Sequence, residues 1–335
     1  MAQRGPGATA ALERAAFVVS VDTELAWGIH DQGRDAVEAV GPHRAADERA
    51  VVRSVLDLLE RHDVPATWAV VGHLFLGSCR RGDGPIHPGV MRPAYDWHDG
   101  DWFALDPGSD LGSDPLWYGS DIIDWIRRAS PQHEIGSHSF SHLVAGDPGC
   151  SEKVFESDLA ACVDVAGAAG LALRSYVFSK NSIGHLGVLE RHGLIAYRGD
   201  RPPPFAGIPG VRGRLMRVVD RLNPRAGSAV FPERIGRLWN IPATNFYGPA
   251  ARTDPMPFPL WVTRQVRRLE LAGRTQSLYH LWFHPQDLLG DVDRALSGLD
   301  RILERAATLR RLGTMRTVTM SQLAASLEDS FPPRY

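Results

Sequence analysis

The chain has 335 residues, 44% of them hydrophobic and 23% charged, with a formal net charge of -2 at pH 7. That composition suits a globular protein with a real core, and it excludes the basic excess of a nucleic-acid binder and the acidic run of a disordered tail. The three cysteines, Cys79, Cys150 and Cys162, form no CxxC pair, so neither a disulfide framework nor a thiolate zinc site is expected.

Residues 1–15, rich in Gly, Ala and Arg without a period, read as a flexible tail lacking the apolar run of a signal peptide. Phe17–Val21 is a short β-branched run and reads as a buried strand. Apolar residues at helical spacing, among them Val51, Val52, Val55, Leu56 and Leu59, predict a helix over Ala45–His62, and Ala66–Val71 a second strand. Residues 77–120 break this rhythm with Gly, Pro, Asp and large aromatics (Tyr95, Trp97, Trp102, Trp117, Tyr118). A loop this long in a compact domain has work to do, as a platform for sugar rings or as a cover over the fold. The alternation resumes with helices at Asp121–Ala129, Glu152–Ala169 and Leu186–His192, and strands at Glu134–Ser137, Leu173–Phe178 and near Ile195–Tyr197. Residues 199–260 are irregular and rich in proline. A helix at Leu260–Ala272, a strand at Ser277–Phe283, a helix at Asp291–Arg311 and a short strand and helix near Thr317–Leu327 close the chain. Strands alternating with helices imply a parallel sheet with right-handed crossovers, and about seven such units favour a barrel. No segment reaches the length of a membrane span. One domain over 16–327 and a cytoplasmic location are expected.

Polar clusters end three of these strands, at the edge where parallel α/β folds build their sites. The first is Ser20-Val21-Asp22-Thr23-Glu24. Asp22 and Glu24, two apart, project to one side of an extended chain, so one carboxylate could hold a metal while the other takes a proton from water. The second, Ser137-His138-Ser139-Phe140-Ser141-His142, carries two histidines four apart. On a helical turn these would share a face and grip one divalent ion. The third, Tyr279-His280-Leu281-Trp282-Phe283-His284, offers His284 at its C-terminal end, whereas His280 sits inside the apolar run as a candidate core histidine. A fourth segment, Phe178-Ser179-Lys180-Asn181, holds Lys180, one of only two lysines in the chain. Lys180, Asn181, Trp27 and Trp282 are the candidate substrate contacts.

In this order the clusters resemble the motifs of the polysaccharide deacetylase family (the NodB homology domain, carbohydrate esterase family four). The His138-Ser139-Phe140-Ser141-His142 motif is complete, Asp22-Thr23-Glu24 stands where adjacent aspartates are common, and Trp282-Phe283-His284 matches a late Leu-x-His motif with Trp for Leu. The third motif is the poorest match: Phe178-Ser179-Lys180-Asn181 lacks its arginine and proline, and Lys180 is the candidate substitute. The resemblance implies a distorted (β/α)7 TIM-like barrel of the NodB type. It implies Asp22 as catalytic base, His284 as general acid, and Glu24, His138 and His142 as metal ligands.

The chemistry fits amide hydrolysis: zinc makes water acidic near neutral pH, a carboxylate removes its proton, and an imidazolium protonates the leaving nitrogen. The expected activity is removal of an N-acyl group, foremost N-acetyl, from an amino sugar, with zinc favoured and cobalt or nickel able to use the same ligands. The expected substrate is a small amino-sugar molecule, sugar nucleotide, lipid-linked sugar or glycoside, with no nucleic-acid partner. A sugar deformylase, an allantoinase-like cyclic-amide hydrolase and an inactive sugar-binding protein are the competing readings, because fold does not fix function.

Overall fold

The structure, a computed structural model, describes residues 8–41, 43–199, 229–248 and 256–330. Eleven strands form one sheet: β1 (Ala8–Thr9), β2 (Ala15–Thr23), β3 (Thr67–Val70), β4 (Glu134–Ser137), β5 (Ser175–Val177), β6 (Ala196–Arg198), β7 (Glu233–Ile235), β8 (Leu238–Asn240), β9 (Asn245–Phe246), β10 (Leu278–Phe283) and β11 (Met315–Thr317). Their order is β1-β7-β8-β6-β5-β4-β3-β2-β10-β9, with β11 beside the first half of β2. All neighbours pair in parallel except β1–β7 and β7–β8. The sheet curls into the half-barrel of a distorted (β/α)7 fold. No pairing joins β8 to β9 among the described residues.

Helices cover the outside: α1 (Arg34–Ala39), α2 (Arg44–Arg61), α3 (Ser120–Arg128), α4 (Glu152–Ala168), α5 (Leu186–Arg191), α6 (Phe258–Thr275) and α7 (Val292–Arg311); α8 (Met320–Ser330) ends the described chain. Two of the longer ones open on side-chain caps. Ser151 accepts a hydrogen bond from the Val154 amide at 3.3 Å and opens α4; Asp291 does the same for α7 from Arg294 at 3.2 Å.

Side-chain alternation along the strands divides the core. Outward residues of β2 (Ala15, Phe17, Val19, Val21) and β10 (Tyr279, Leu281, Phe283) join the main core under the helices. Inward residues Ala16, Val18, Ala69, Val177, Ala196 and Leu278 meet Met320, Leu323 and Leu327 of α8, which plugs the N-terminal mouth of the barrel. One pleat further along, the inward positions turn polar: Ser20 and Asp22 on β2, Arg198 on β6 and His280 on β10, all buried. The alternation that fills the bottom with apolar side chains therefore delivers a polar layer to the top.

The predicted strands and helices from Phe17 to Leu327 are present within a few residues. Three expectations change. Residues 1–7 lie outside the described chain, but Ala8–Thr9 is not a loose tail, because it pairs with Arg234 and Glu233. The irregular stretch 199–260 contains β7, β8 and β9, strands too short to register as a period, and residues 200–228 and 249–255 of it lie outside the described chain. Residues 138–142 form no helical turn.

Candidate active site

Asp22 and Glu24 leave the C-terminal end of β2 towards one cleft of about 300 Å³, which His138, His142, Arg198, Trp282 and His284 also line. Glu24 Oε1 lies 2.9 Å from His138 Nε2 and 3.1 Å from His142 Nε2. His138 Nδ1 faces the Val177 carbonyl at 2.8 Å. It must therefore donate there, which leaves the Nε2 lone pair of the neutral ring aimed at the glutamate. A bonded ion at 2.0–2.1 Å from each ligand sets ligand atoms about 3.4 Å apart in a tetrahedral shell. The two glutamate–imidazole distances are close to that spacing, all three atoms lie within 4.8 Å of one another, and His142 Nδ1 is buried without a partner. Glu24, His138 and His142 fit a divalent cation. Gly28 makes room for them: a Cβ there would sit 2.0 Å from Glu24 Oε2.

The histidine loop departs from the expected helix because Ser139 and His142 both adopt positive φ, 67° and 57°. It is held instead by Asp158 of α4. The buried Asp158 carboxylate accepts from the Phe140 amide at 2.7 Å, the Ser141 amide at 3.1 Å and the Ser141 hydroxyl at 2.7 Å. Two αL residues and an external carboxylate achieve what a helical turn was expected to do.

Asp22 has different company. Arg198 grips it with both terminal nitrogens, at 2.7 and 2.6 Å, and also reaches Ser20 Oγ at 3.0 Å. Burial pushes the Asp22 carboxyl up, but Arg198, with His138 and His284, overrides it and holds the group below the usual carboxylate range. Sequence reasoning missed Arg198, which ends β6 at the same edge where Asp22 sits near the end of β2. It makes the bidentate contact to the carboxylate at the cleft. Lys180 does not: it pairs with Asp31, and its side chain is 44% exposed at the cleft rim beside Asn181. A planar fork suits a bidentate carboxylate, and an ammonium on a mobile stem does not.

His284 completes the group, with Nε2 3.4 Å from Glu24 Oε1 and 3.7 Å from Asp22 Oδ2. Its Nδ1 donates to Asp287 Oδ2 at 2.7 Å. Burial opposes the charged ring, but Glu24, Asp287 and Asp22 outweigh it and lift the His284 pKa well above its ordinary value. His280 is the core histidine of the sequence reading. It faces Ile241 O at 3.1 Å and Ser20 Oγ at 2.9 Å, and burial followed by Arg198 lowers its pKa to about 3. Trp282 forms a cleft wall, with the Arg198 guanidinium 4.4 Å over its ring. Trp27 is a correction: it is wholly buried in the core, with its indole N–H on Trp117 O at 3.3 Å, and does not line the cleft.

No protein-family model matches the sequence, and no curated protein matches it. Solved structures do match. The chain superposes on a putative polysaccharide deacetylase from Mycobacterium smegmatis with a TM-score of 0.63, at 13% identity, over 99% of this chain and 98% of the other. A probable polysaccharide deacetylase from Pseudomonas aeruginosa PAO1 gives a TM-score of 0.59 at 10% identity, over 96% and 93%. The fold is that of the polysaccharide deacetylases. A 4-alpha-glucanotransferase from Thermococcus litoralis also matches, with a TM-score of 0.52 and 12% identity, over 96% of this chain and 41% of the other. The deacetylase fold thus has a relative named for different chemistry, so activity is argued from the site.

Proposed function

We propose that the protein is a divalent-metal-dependent hydrolase that removes an N-acyl group, foremost N-acetyl, from an amino sugar or sugar conjugate. The observation carrying this reading is the placement of two groups beside the Glu24-His138-His142 trio: Asp22 clamped by Arg198, which favours its carboxylate, and His284 held by Asp287, which favours its protonated ring. Two titratable groups with pKa values pushed apart are the signature of an acid–base pair.

Glu24, His138 and His142 would hold the ion. Zinc is favoured by two imidazoles and a carboxylate, and cobalt or nickel accepts the same set. When bound, the ion supplies Lewis acidity and makes water acidic near neutral pH. Asp22 removes the proton from the attacking water as the new C–O bond forms. Arg198 keeps that carboxylate ionised and fixes its direction. As the C–N bond breaks, His284 gives its Nε2 proton to the departing nitrogen, and Asp287 holds the ring in the orientation that presents it. Trp282, Lys180 and Asn181 at the cleft rim suit a sugar ring, which offers one apolar face and several hydroxyls. A small amino-sugar glycoside, sugar nucleotide or lipid-linked sugar is the substrate class.

The test is acetate release from N-acetylated amino sugars by zinc- or cobalt-loaded protein, beside His284→Ala and His138→Ala. The expected result is turnover in the wild type, full metal content but at least about a hundredfold loss of kcat in His284→Ala, and loss of the cleft metal in His138→Ala. Formate or a ring-opened acid as the only product would replace this reading with a deformylase or a cyclic-amide hydrolase. Equal metal loss in both variants would remove the acid role from His284.

A further inference from the structure

A second group of ligand-type side chains lies outside the cleft, in the aromatic-rich insertion. His73 follows β3 in a short 3-10 turn, Gly72–Phe75, and Cys79, His87 and Asp106 come from the insertion itself. Asp106 Oδ2 lies 3.0 Å from His73 Nε2 and 2.9 Å from His87 Nε2. Cys79 Sγ lies 3.6 Å from His73 Nε2 and 3.4 Å from Asp106 Oδ1. All four ligand atoms fall within 4.8 Å of one another. A tetrahedral zinc shell built from ordinary bond lengths has edges of about 3.4 Å between nitrogen and oxygen and about 3.6 Å between sulfur and nitrogen.

Proton bookkeeping points the same way. His73 Nδ1 faces the Trp117 carbonyl at 3.2 Å and must donate to it. In the neutral ring, Nε2 is then an acceptor aimed at a carboxylate oxygen that is itself an acceptor. Protonating the ring removes the clash but puts a charge on a side chain with no solvent exposure. A divalent cation resolves the conflict, since two neutral imidazoles, a carboxylate and a thiolate balance its charge once the thiol proton has left.

The surroundings are also built for ligands. Gly108 N donates to Asp106 Oδ1 at 2.9 Å, and Tyr118 Oη lies 3.1 Å from Cys79 Sγ while accepting from Ser109 N at 2.9 Å. Such outer contacts orient ligands in metal sites.

We propose that His73, Cys79, His87 and Asp106 form a second, structural zinc site that fastens the insertion to the barrel. Four protein ligands leave no open position, unlike the cleft trio. His73 and His87 pack on Phe140, with ring centroids 5.8 and 5.3 Å apart, and Phe140 lies between His138 and His142. The second site therefore buttresses the loop that carries the first.

The test compares metal content and cobalt spectra of the full chain. In cobalt-substituted wild type, and in His138→Ala with His142→Ala, a thiolate-to-cobalt charge-transfer band and tetrahedral d–d bands are expected. The thiolate band should vanish in Cys79→Ser with His87→Ala, which should lose one equivalent of zinc and keep the other, with only the d–d bands of cobalt in the cleft remaining. The spectra of wild type and the His138/His142 variant need no change in the insertion, so the proposal survives a folding failure of the Cys79 variant. No thiolate band in cobalt-loaded wild type, or unchanged zinc stoichiometry in folded Cys79→Ser with His87→Ala, would overturn it.

Discussion

Removing Arg198 leaves the Asp22 carboxylate buried without its counter-charge. Arg198→Ala is expected to destabilise the protein by about 3–5 kcal/mol, the usual cost of orphaning one partner of a buried pair, read as a lower urea midpoint. Arg198→Lys keeps a charge and loses the fork, so kcat should fall about tenfold or more, equivalent to about 1.4 kcal/mol, at unchanged metal content. An unchanged kcat would mean that the charge alone suffices. His280 gives a stability prediction with a defined sign. Its folded pKa is lowered from 6.5 to about 3, so between those values the unfolded chain binds the extra proton and stability is lost as pH falls. The contribution is complete above pH 6.5 and declines by about 1.4 kcal/mol per pH unit through the window. His280→Gln should flatten that part of the curve in denaturant melts from pH 3 to 7, and an unaltered slope would assign the acid sensitivity elsewhere.

The loop from His138 to His142 belongs to the scale of elements. Its positive-φ residues tolerate their conformation because α4 supplies Asp158 from outside. Asp158→Ala leaves the Phe140 and Ser141 amides without their acceptor in the interior, at about 1–3 kcal/mol for each. The loop should relax before the whole fold does. Zinc affinity at the cleft should therefore drop more than tenfold, by isothermal titration, while the circular dichroism spectrum stays that of the wild type; undiminished affinity would confine Asp158 to a packing role. The His-x-x-x-His spacing was legible in the sequence, but the means of placing both rings on one ion was not. An acceptor 17 and 18 residues further along the chain, on a separate helix, leaves no local pattern.

At the scale of the molecule, the barrel has a structural end and a chemical end. Leu323 of α8 is wholly buried among the inward residues at the closed mouth. Leu323→Ala should cost about 2–5 kcal/mol of stability with kcat per folded molecule unchanged, since the cleft lies at the opposite end of the strands. A matching loss of kcat in the folded variant would contradict that separation. Period and punctuation exposed the strand–helix alternation, because each strand with its helix is local in sequence. The short strands β7, β8 and β9 escaped because two or three residues carry no period.

Sequence alone determined the alternation, the acids after β2, the paired histidines after β4 and His284 after β10, because a strand end is a local feature and side-chain direction follows from the pleat. It also pointed to Trp27, which the fold sent into the core, and offered Lys180 as a stand-in for an arginine, where the fold instead pairs it with Asp31 at the cleft rim. Arg198 was within reach, as a charged residue closing the apolar run Ile195–Tyr197, but nothing in one chain's order says that β6 curls round to face β2. Only the tertiary structure decided that Arg198 clamps Asp22 while Glu24 meets both histidines, and that Cys79, without a CxxC partner, meets two histidines and an aspartate from 6 to 27 residues away. Such contacts depend on sheet curvature and loop packing, which are properties of the whole chain and not of any window along it.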